Sequence, residues 1–509
     1  MFGRRWVIIT AWVLGLVLLC IFGIYYAIKL AVQKDPFVAL YTDNCAVCHG
    51  EDMRGGAQGP ALLGAPLVHG ESVAELTQSI GDGFPAKGMP GWSNTLPDGQ
   101  VASLAILIAE KRVDRVFTDF KMAKPLEIPT TPFETELASF RLVKIAEGID
   151  PYPFSIAPLP NGRFLVTEKK FGLSIVNPDG TKVLIKNTPE TSELALNVLG
   201  LDYGLGWLLD VAPHPEYAEN GWIYLHHTEI CTDCETTGPD IVAVTMNRVI
   251  RGRIKGDEWV DEEVIWSVPH KYYSAMPDLG AGGRIAFDPK GYLFISVGMK
   301  GGYFEGIQDL TTPYGKIHRV HDDGSIPEDN PFITTAGAYP STWTYGHRSP
   351  QGLEFDATTG KLWETEMGPR GGDELNLLQP GLNFGWPIYS KGVDYDGTPV
   401  EYWKDLGIEF DIEDIQQPVA DMTPSPAVSS FVIYDGYAFP SWQHDYLVGS
   451  LKATELYRLR IRDDKLVSTE ILFKDLARIR DIEVDAEGLI YLLLEHESGS
   501  QIVRMEPVS

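Results

Sequence analysis

From about residue 138 to the end of the chain one module recurs: an alternating apolar strand, a turn that carries glycine, and a second, strongly apolar strand. It is read at Ile156–Val166, Val211–Leu225, Ile285–Ile295, Leu353–Trp363 and Ile482–Leu492, with a fainter copy between Phe431 and Leu459. A single hairpin of this kind cannot bury its own apolar faces, and six of them, spaced by roughly 50 to 80 residues, call for an architecture built by repetition. The reading is a mainly β fold, a six-bladed β-propeller over 138–509, whose four-stranded blades close on themselves and protect their edges. Two packed sandwiches are the rival arrangement. The 51 Gly and 35 Pro among 509 residues suit such a loop-rich β body.

Three features lie ahead of the repeats or beside them. Trp6 to Ile28 holds no charged residue, and a helix of that length rises roughly 35 Å, enough to cross a bilayer core. The segment 6–30 therefore reads as a transmembrane anchor, with a cleaved signal peptide as the alternative. Next comes Cys45-Ala46-Val47-Cys48-His49. Two thiols and an imidazole at that spacing are what covalent haem attachment needs: Cys45 and Cys48 bond the vinyl groups and His49 ligates the iron. Haem c is attached on the outer face of the membrane, so the bulk of the chain is expected in the periplasm, held to the inner (cytoplasmic) membrane by a single pass. The third feature is Cys231-Thr232-Asp233-Cys234, which lacks the following His. In an oxidising compartment it reads as a tight loop disulfide, a metal site being the weaker choice because no second Cys pair exists. The formal net charge of -28 excludes a nucleic-acid partner.

Residues beyond the haem motif, Gly50, Gly59-Pro60 and Gly88-Met89-Pro90, resemble those of small class I c-type cytochromes. The resemblance implies a small all-α domain over 36–115 in which Pro60 supports the proximal His49 and Met89 is the second iron ligand. Met53 lies too close to His49 to swing across the porphyrin. The domain is expected to end in the helix Val101–Lys111, followed by a linker over 116–137 marked by Lys121, Lys124, Pro125, Pro129 and Pro132.

In so acidic a chain, cations at blade starts stand out. Arg348, Lys452, Arg478 and Arg480 occupy three loops that a propeller would bring to one mouth, a setting for a polyanionic small molecule. With their neighbours they resemble the PQQ-dependent glucose/sorbosone dehydrogenases, or aldose sugar dehydrogenases, over nearly all of 138–509. The motifs that carry the likeness are Gly315–Arg319, Asp323–Pro331, Tyr345-Gly346-His347-Arg348-Ser349-Pro350-Gln351-Gly352-Leu353, Glu366–Asn376, Asn383–Pro387, Gly449–Lys452 and Arg478–Asp481. The resemblance implies that Arg348, Lys452, Arg478 and Arg480 bind the carboxylates and ortho-quinone of PQQ and that Ser425 adds a hydrogen bond. It further implies that the carbonyls of Gly368 and Pro369 hold a calcium bridging to PQQ, with Asp373 and Glu374 at an adjacent structural calcium. Hard oxygen donors suit that ion.

The same resemblance exposes departures. Where the family has its catalytic His, four residues before Arg284, this chain has Gly280; where it has the supporting Asp, this chain has Met299. The Gln and Asn of the substrate-side loop are Leu205 and Gly206 in Gly204-Leu205-Gly206-Trp207. Asp278 and His347 are the two candidates for a replacement base, and the apolar Leu205 and Trp207 suggest a substrate less polar than glucose. The expected function is that of a membrane-anchored quinohaemoprotein dehydrogenase. It would oxidise a sugar or alcohol with PQQ and pass electrons through haem c to a respiratory acceptor such as another cytochrome or an oxidase. The alternative is a propeller that has lost its chemistry and acts as a haem c electron-transfer or binding module.

Overall fold

A computed structural model describes residues 35–97, 99–113, 122, 124–198, 201–234, 243–275, 278–300 and 304–508. The expected anchor at 6–30 lies outside the described residues, among which no helix is long and apolar enough to cross a membrane. The chain divides into two compact units, one holding the described residues up to 113 with Val393–Pro399, the other holding the rest.

The first unit is helical. Helix α1 (Pro36–Asn44) starts where Asp35 accepts the Phe37 N–H at 2.9 Å and Pro36 supplies a helical φ. A single turn, α2 (Ala46–His49), carries the end of the CxxCH run. Helix α3 (Val73–Asp82) opens with a capping box between Ser72 and Glu75, and α4 (Gln100–Arg112) presents Leu104, Leu107 and Ile108 to a core shared with Phe37, Tyr41, Leu76 and Ile80.

The second unit is a six-bladed propeller. Its blades are four-stranded antiparallel sheets whose innermost strands are Pro153–Pro158, Leu208–Pro213, Gly282–Phe287, Pro350–Asp356, Val428–Ile433 and Arg478–Val484. Each inner strand neighbours the next, and the last neighbours the first, so the ring is closed. Five of the modules read from sequence are the first two strands of a blade, and the fainter one, Phe431 to Leu459, reaches into the third strand of blade five. In two blades the turn has one cause: Asp288 Oδ1 accepts the N–H groups of Lys290 and Tyr292, both at 2.9 Å, and Gly291 takes φ +83°. Asp485 and Gly488 repeat this arrangement in the last blade.

Closure joins the two ends of this unit. Ser139–Ile149 pairs with the C-terminal strand Ser500–Val508 in the sixth blade, and Phe133–Glu134 adds a short edge strand. Leu126, buried, and Phe133, partly buried, pack with Phe140 of that blade and with Trp442 and Phe473 of blade five in a core shared by the two blades. The segment expected as a linker to 137 therefore belongs to the propeller from about Leu126 onward, because its apolar side chains cover an otherwise open blade edge.

At the axis Arg284 ties the blades together. Its Nη1 lies 2.9 Å from Asp481 and 3.3 Å from Asp210, and its Nε donates to the Gln351 carbonyl at 2.8 Å. Asp481 and Asp210 in turn accept the backbone N–H groups of Ile156 and Ile285. Arg284→Met should cost about 3–5 kcal/mol of stability, since it strands two buried carboxylates. Denaturant unfolding checks this, and a loss below about 1 kcal/mol would show that the ring does not depend on the guanidinium.

Candidate functional site

In the helical unit, Cys45, Cys48, His49 and Met89 line one cavity together with Leu67, Ile80, Trp92 and Ile108. The thiols are not joined to each other. His49 Nδ1 donates to the Pro60 carbonyl at 2.8 Å, which leaves Nε2 for a metal. Gly59 is required beside it: a Cβ there would fall 2.9 Å from the Cys48 carbonyl oxygen and 3.0 Å from His49 Nδ1. Met89 joins the lining from a loop that closes through two backbone hydrogen bonds between Phe84 and Met89, at 2.9 and 3.2 Å. An apolar slot with two thiols and an imidazole at one side and a thioether in its lining fits a covalent haem.

In the propeller, antiparallel pairing places the starts of the inner strands and the ends of the second strands at one mouth. Arg348 precedes the inner strand of blade four, Arg478 and Arg480 open that of blade six, and Lys452 follows Ser450 at the end of a second strand. Arg478 Nε and Arg480 Nε lie 2.5 and 2.6 Å from the two oxygens of Glu495. Burial alone would raise Glu495, but Arg480, Arg478 and Lys169 outweigh it and hold the carboxyl down at about 2. Arg348 donates through Nη1 to the carbonyls of Met367 and Gly368, at 3.1 and 2.7 Å, and stands 5.1 Å from the Trp386 ring. The cations thus outnumber the carboxylate among them, which suits a ligand bearing several anionic groups.

The Gly368 loop is braced from below. Asp373 accepts the N–H groups of Gly368 and Val428 through separate oxygens, at 3.0 and 2.8 Å, and its own N–H donates to Ser425 Oγ at 3.0 Å. Ser425 therefore holds the loop, and Asp373 spends its carboxylate on backbone donors. The Gly368 carbonyl is the kind of donor a calcium takes. Glu374 accepts a hydrogen bond from the Asn376 amide at 3.3 Å, and burial, with Glu366 and Glu364 adding like charge, holds its pKa well above the ordinary value.

Neither expected base stands free. Asp278 forms a fully buried ion pair with Lys300 and accepts hydrogen bonds from Thr228, Thr245 and the Trp207 N–H. His347, also fully buried, contacts Thr344 Oγ1 at 2.8 Å and Glu366 at 3.1 Å. Burial by itself would lower its pKa, yet Glu364 and Glu366 overcome that and raise it to about 9. Leu205 is turned wholly into the interior, so of the two apolar residues in the substrate-side loop only Trp207 is left partly exposed.

Sequence reasoning missed Lys169, which follows the second strand of blade one (Phe164–Glu168) as Lys452 follows that of blade five (Asp445–Ser450). That shared position in the module was the available signal. The disulfide between Cys231 and Cys234 is present, at the end of the second strand of blade two.

Comparison with known proteins agrees with this geometry. The family model for glucose/sorbosone dehydrogenase matches residues 150–504, and that for subunit III of cbb3-type cytochrome c oxidase matches 33–108. The aldose sugar dehydrogenase of Escherichia coli is 34% identical over 310 residues, covering 60% of this chain and 78% of that protein. Quinoprotein glucose dehydrogenase B of Acinetobacter calcoaceticus is 26% identical over 449 residues, covering 74% and 90%. The solved apo-form of the soluble Escherichia coli aldose sugar dehydrogenase superposes with a TM-score of 0.60 at 30% identity, over 72% of this chain and all of that one.

The imidazole buried between acids makes a testable pH signature. A His whose folded pKa exceeds its unfolded value of about 6.5 contributes stability that is complete below that value and is lost as pH rises through the folded one. The unfolding free energy should therefore fall by a few kcal/mol between pH 6.5 and about 9, and this slope should flatten in His347→Gln. A parallel slope in the variant would show that the imidazole does not hold the extra proton.

Proposed function

The chain belongs to the glucose/sorbosone dehydrogenase family and carries a c-type cytochrome domain ahead of it, and on that premise we propose that it is a quinohaemoprotein dehydrogenase oxidising a sugar or related alcohol. The observation that carries this reading is the cation-rich propeller mouth in the same chain as a built haem cavity. Arg348, Lys452, Arg478 and Arg480 would hold the carboxylates and ortho-quinone of PQQ, and the carbonyls of Gly368 and Pro369 would hold calcium against it. When bound, PQQ supplies a two-electron acceptor and calcium a Lewis acid on its quinone. The protein's own groups do the rest: guanidiniums fix the orientation, the Asp373 and Ser425 brace keeps the Gly368 loop in place, and Trp386 faces Arg348.

Cys45, Cys48, His49 and Met89 would hold haem c, which takes electrons one at a time and hands them to a respiratory acceptor such as another cytochrome or an oxidase. Joining both centres in one chain raises the effective concentration of the acceptor. The segment 6–30 would anchor the protein in the inner membrane with the catalytic body in the periplasm. A second reading, an electron-transfer module without quinone turnover, draws on the loss of the family's His at Gly280 and on the internal pairing of Asp278.

Titration with PQQ and Ca²⁺, followed by absorbance or fluorescence, separates the two. The first reading expects tight, calcium-dependent uptake and growth of the reduced haem α band when sugars or alcohols are added, and absent uptake supports the second. Arg478→Ala and Lys452→Ala should each weaken PQQ binding by about tenfold or more, the scale of one lost charge-assisted hydrogen bond. Unchanged affinity in both would refute the cradle. Met89→Ala should keep the covalent haem but lose the far-red charge-transfer band of the Met-ligated ferric state and lower the potential. Retention of that band would assign the ligand to another residue.

A further inference from the structure

The reaction proposed above leaves a proton to be removed from the substrate hydroxyl, and Asp278 and His347 are both consumed by internal partners. A third basic group stands at the same mouth. Lys169 is only 7% exposed, and its Nζ lies 4.7 Å from the Trp207 ring centroid and 5.7 Å from that of Phe154. Phe154 is flanked as well by Arg284, whose guanidinium is 4.6 Å from the ring. Phe154, Leu209, Ala281 and Trp207 pack as one cluster, and Ala281 directly follows Gly280, the position emptied of the family's His. Lys169 therefore flanks the substrate-side loop at Trp207, and the ring of Phe154 stands between it and the strand start that follows Gly280.

We propose that Lys169 is the general base of this oxidation, its amine nitrogen accepting the hydroxyl proton. The carbinol C–H bond breaks with its electron pair, which leaves as hydride to the ortho-quinone cofactor. The C–O bond becomes a carbonyl, and the O–H proton forms a new N–H bond on Lys169. Water then takes that proton from the ammonium and resets the group.

The surroundings favour an amine that can work as a base. No carboxylate forms an ion pair with Lys169 among the described residues. The charged groups that face it are Arg480, Glu495, Arg478 and Arg284. Burial first, then Arg480, with Arg478 and Arg284 adding to it against Glu495, hold its pKa well below the ordinary lysine value. Anions in the mouth would offset the three guanidiniums, but the burial would remain. The rings of Phe154 and Trp207 offer the ammonium form a π face but no counter-ion, and burial with the guanidiniums outweighs that attraction.

This inference rests on the dehydrogenase reading, and Lys169→Arg in the holoprotein tests the two separately, because it preserves positive charge and removes a usable base. PQQ affinity, read by titration, should stay within about twofold of wild type, while substrate-driven haem reduction should slow by about 10² to 10⁴-fold. Small primary amines should restore part of the rate in Lys169→Ala. A Lys169→Arg enzyme with the wild-type rate and pH profile would overturn the proposal and leave Lys169 as one more cofactor cation. A wild-type protein that binds PQQ yet reduces haem with no sugar or alcohol would overturn the dehydrogenase reading and this proposal with it. Independently of any variant, labelling of Lys169 in wild-type protein with an amine-reactive reagent, followed by peptide mass spectrometry, should show half-maximal reactivity well below the ordinary lysine value of about 10.4. Labelling that follows an ordinary lysine would count against the proposal.

Discussion

The propeller depends on one guanidinium. Arg284 reaches acceptors from three other blades at once: Asp210 on blade two, Asp481 and the Arg480 carbonyl on blade six, and the Gln351 carbonyl on blade four. A cation so deeply placed is costly to desolvate, and its burial is tolerable only because carboxylates and carbonyls close around it. That same requirement fixes where the inner strands start, since each partner must arrive at the axis at one height. The strands then deliver Arg348, Arg478 and Arg480 to one mouth. The architecture and the candidate site are thus set by the same ion cluster, with the cofactor-facing cations placed as neighbours of a structural one.

The repeat was readable because its cause is local. An Asp that accepts backbone N–H groups two and four residues on, followed by a glycine at positive φ, leaves its mark on the sequence, and strands buried on both sides leave long apolar runs. The haem motif was legible for the same reason, since Cys45, Cys48 and His49 must sit within one turn of helix. Blade closure was less visible. Nothing in Leu126 or Phe133 announces that the chain ahead of the first blade packs against the last, because that contact is made with residues more than 300 positions away.

The candidate site was legible to the extent that it was motif-borne. Arg348, Lys452, Arg478 and Arg480 were expected at one mouth from their position in the module, and of these Arg478 and Arg480 share the Glu495 carboxylate. What single residues do was not legible. Asp278 had the charge and the location of a base, but its use depends on Lys300, a residue that drew no notice because it follows the Met299 substitution. His347 sits beside Arg348 in sequence, yet its ring is enclosed by Glu364, Glu366 and Thr344. Leu205 looked like part of a substrate surface and faces the core instead. In each case the partner that decides the role comes from a distant segment, and no local pattern encodes it.

The two losses in the substrate half are linked by the way Asp278 is used. Lys300, next to Met299, and Asp278, two residues before Gly280, form a closed ion pair with no side-chain exposure. A buried pair of this kind resists losing either proton or partner, since each group alone would be an uncompensated charge. It is therefore a support for Trp207, whose N–H it accepts, and not a reagent. Trp207 in turn forms one wall beside Lys169. On the role proposed for Lys169, the basic group stands on blade one beside that wall. The side chains of the candidate cofactor cradle are anchored elsewhere, Arg348 through the Met367 and Gly368 carbonyls and Arg478 and Arg480 through Glu495, while the Arg348 carbonyl accepts the Met299 N–H at 2.8 Å and so ties the cradle to the altered position.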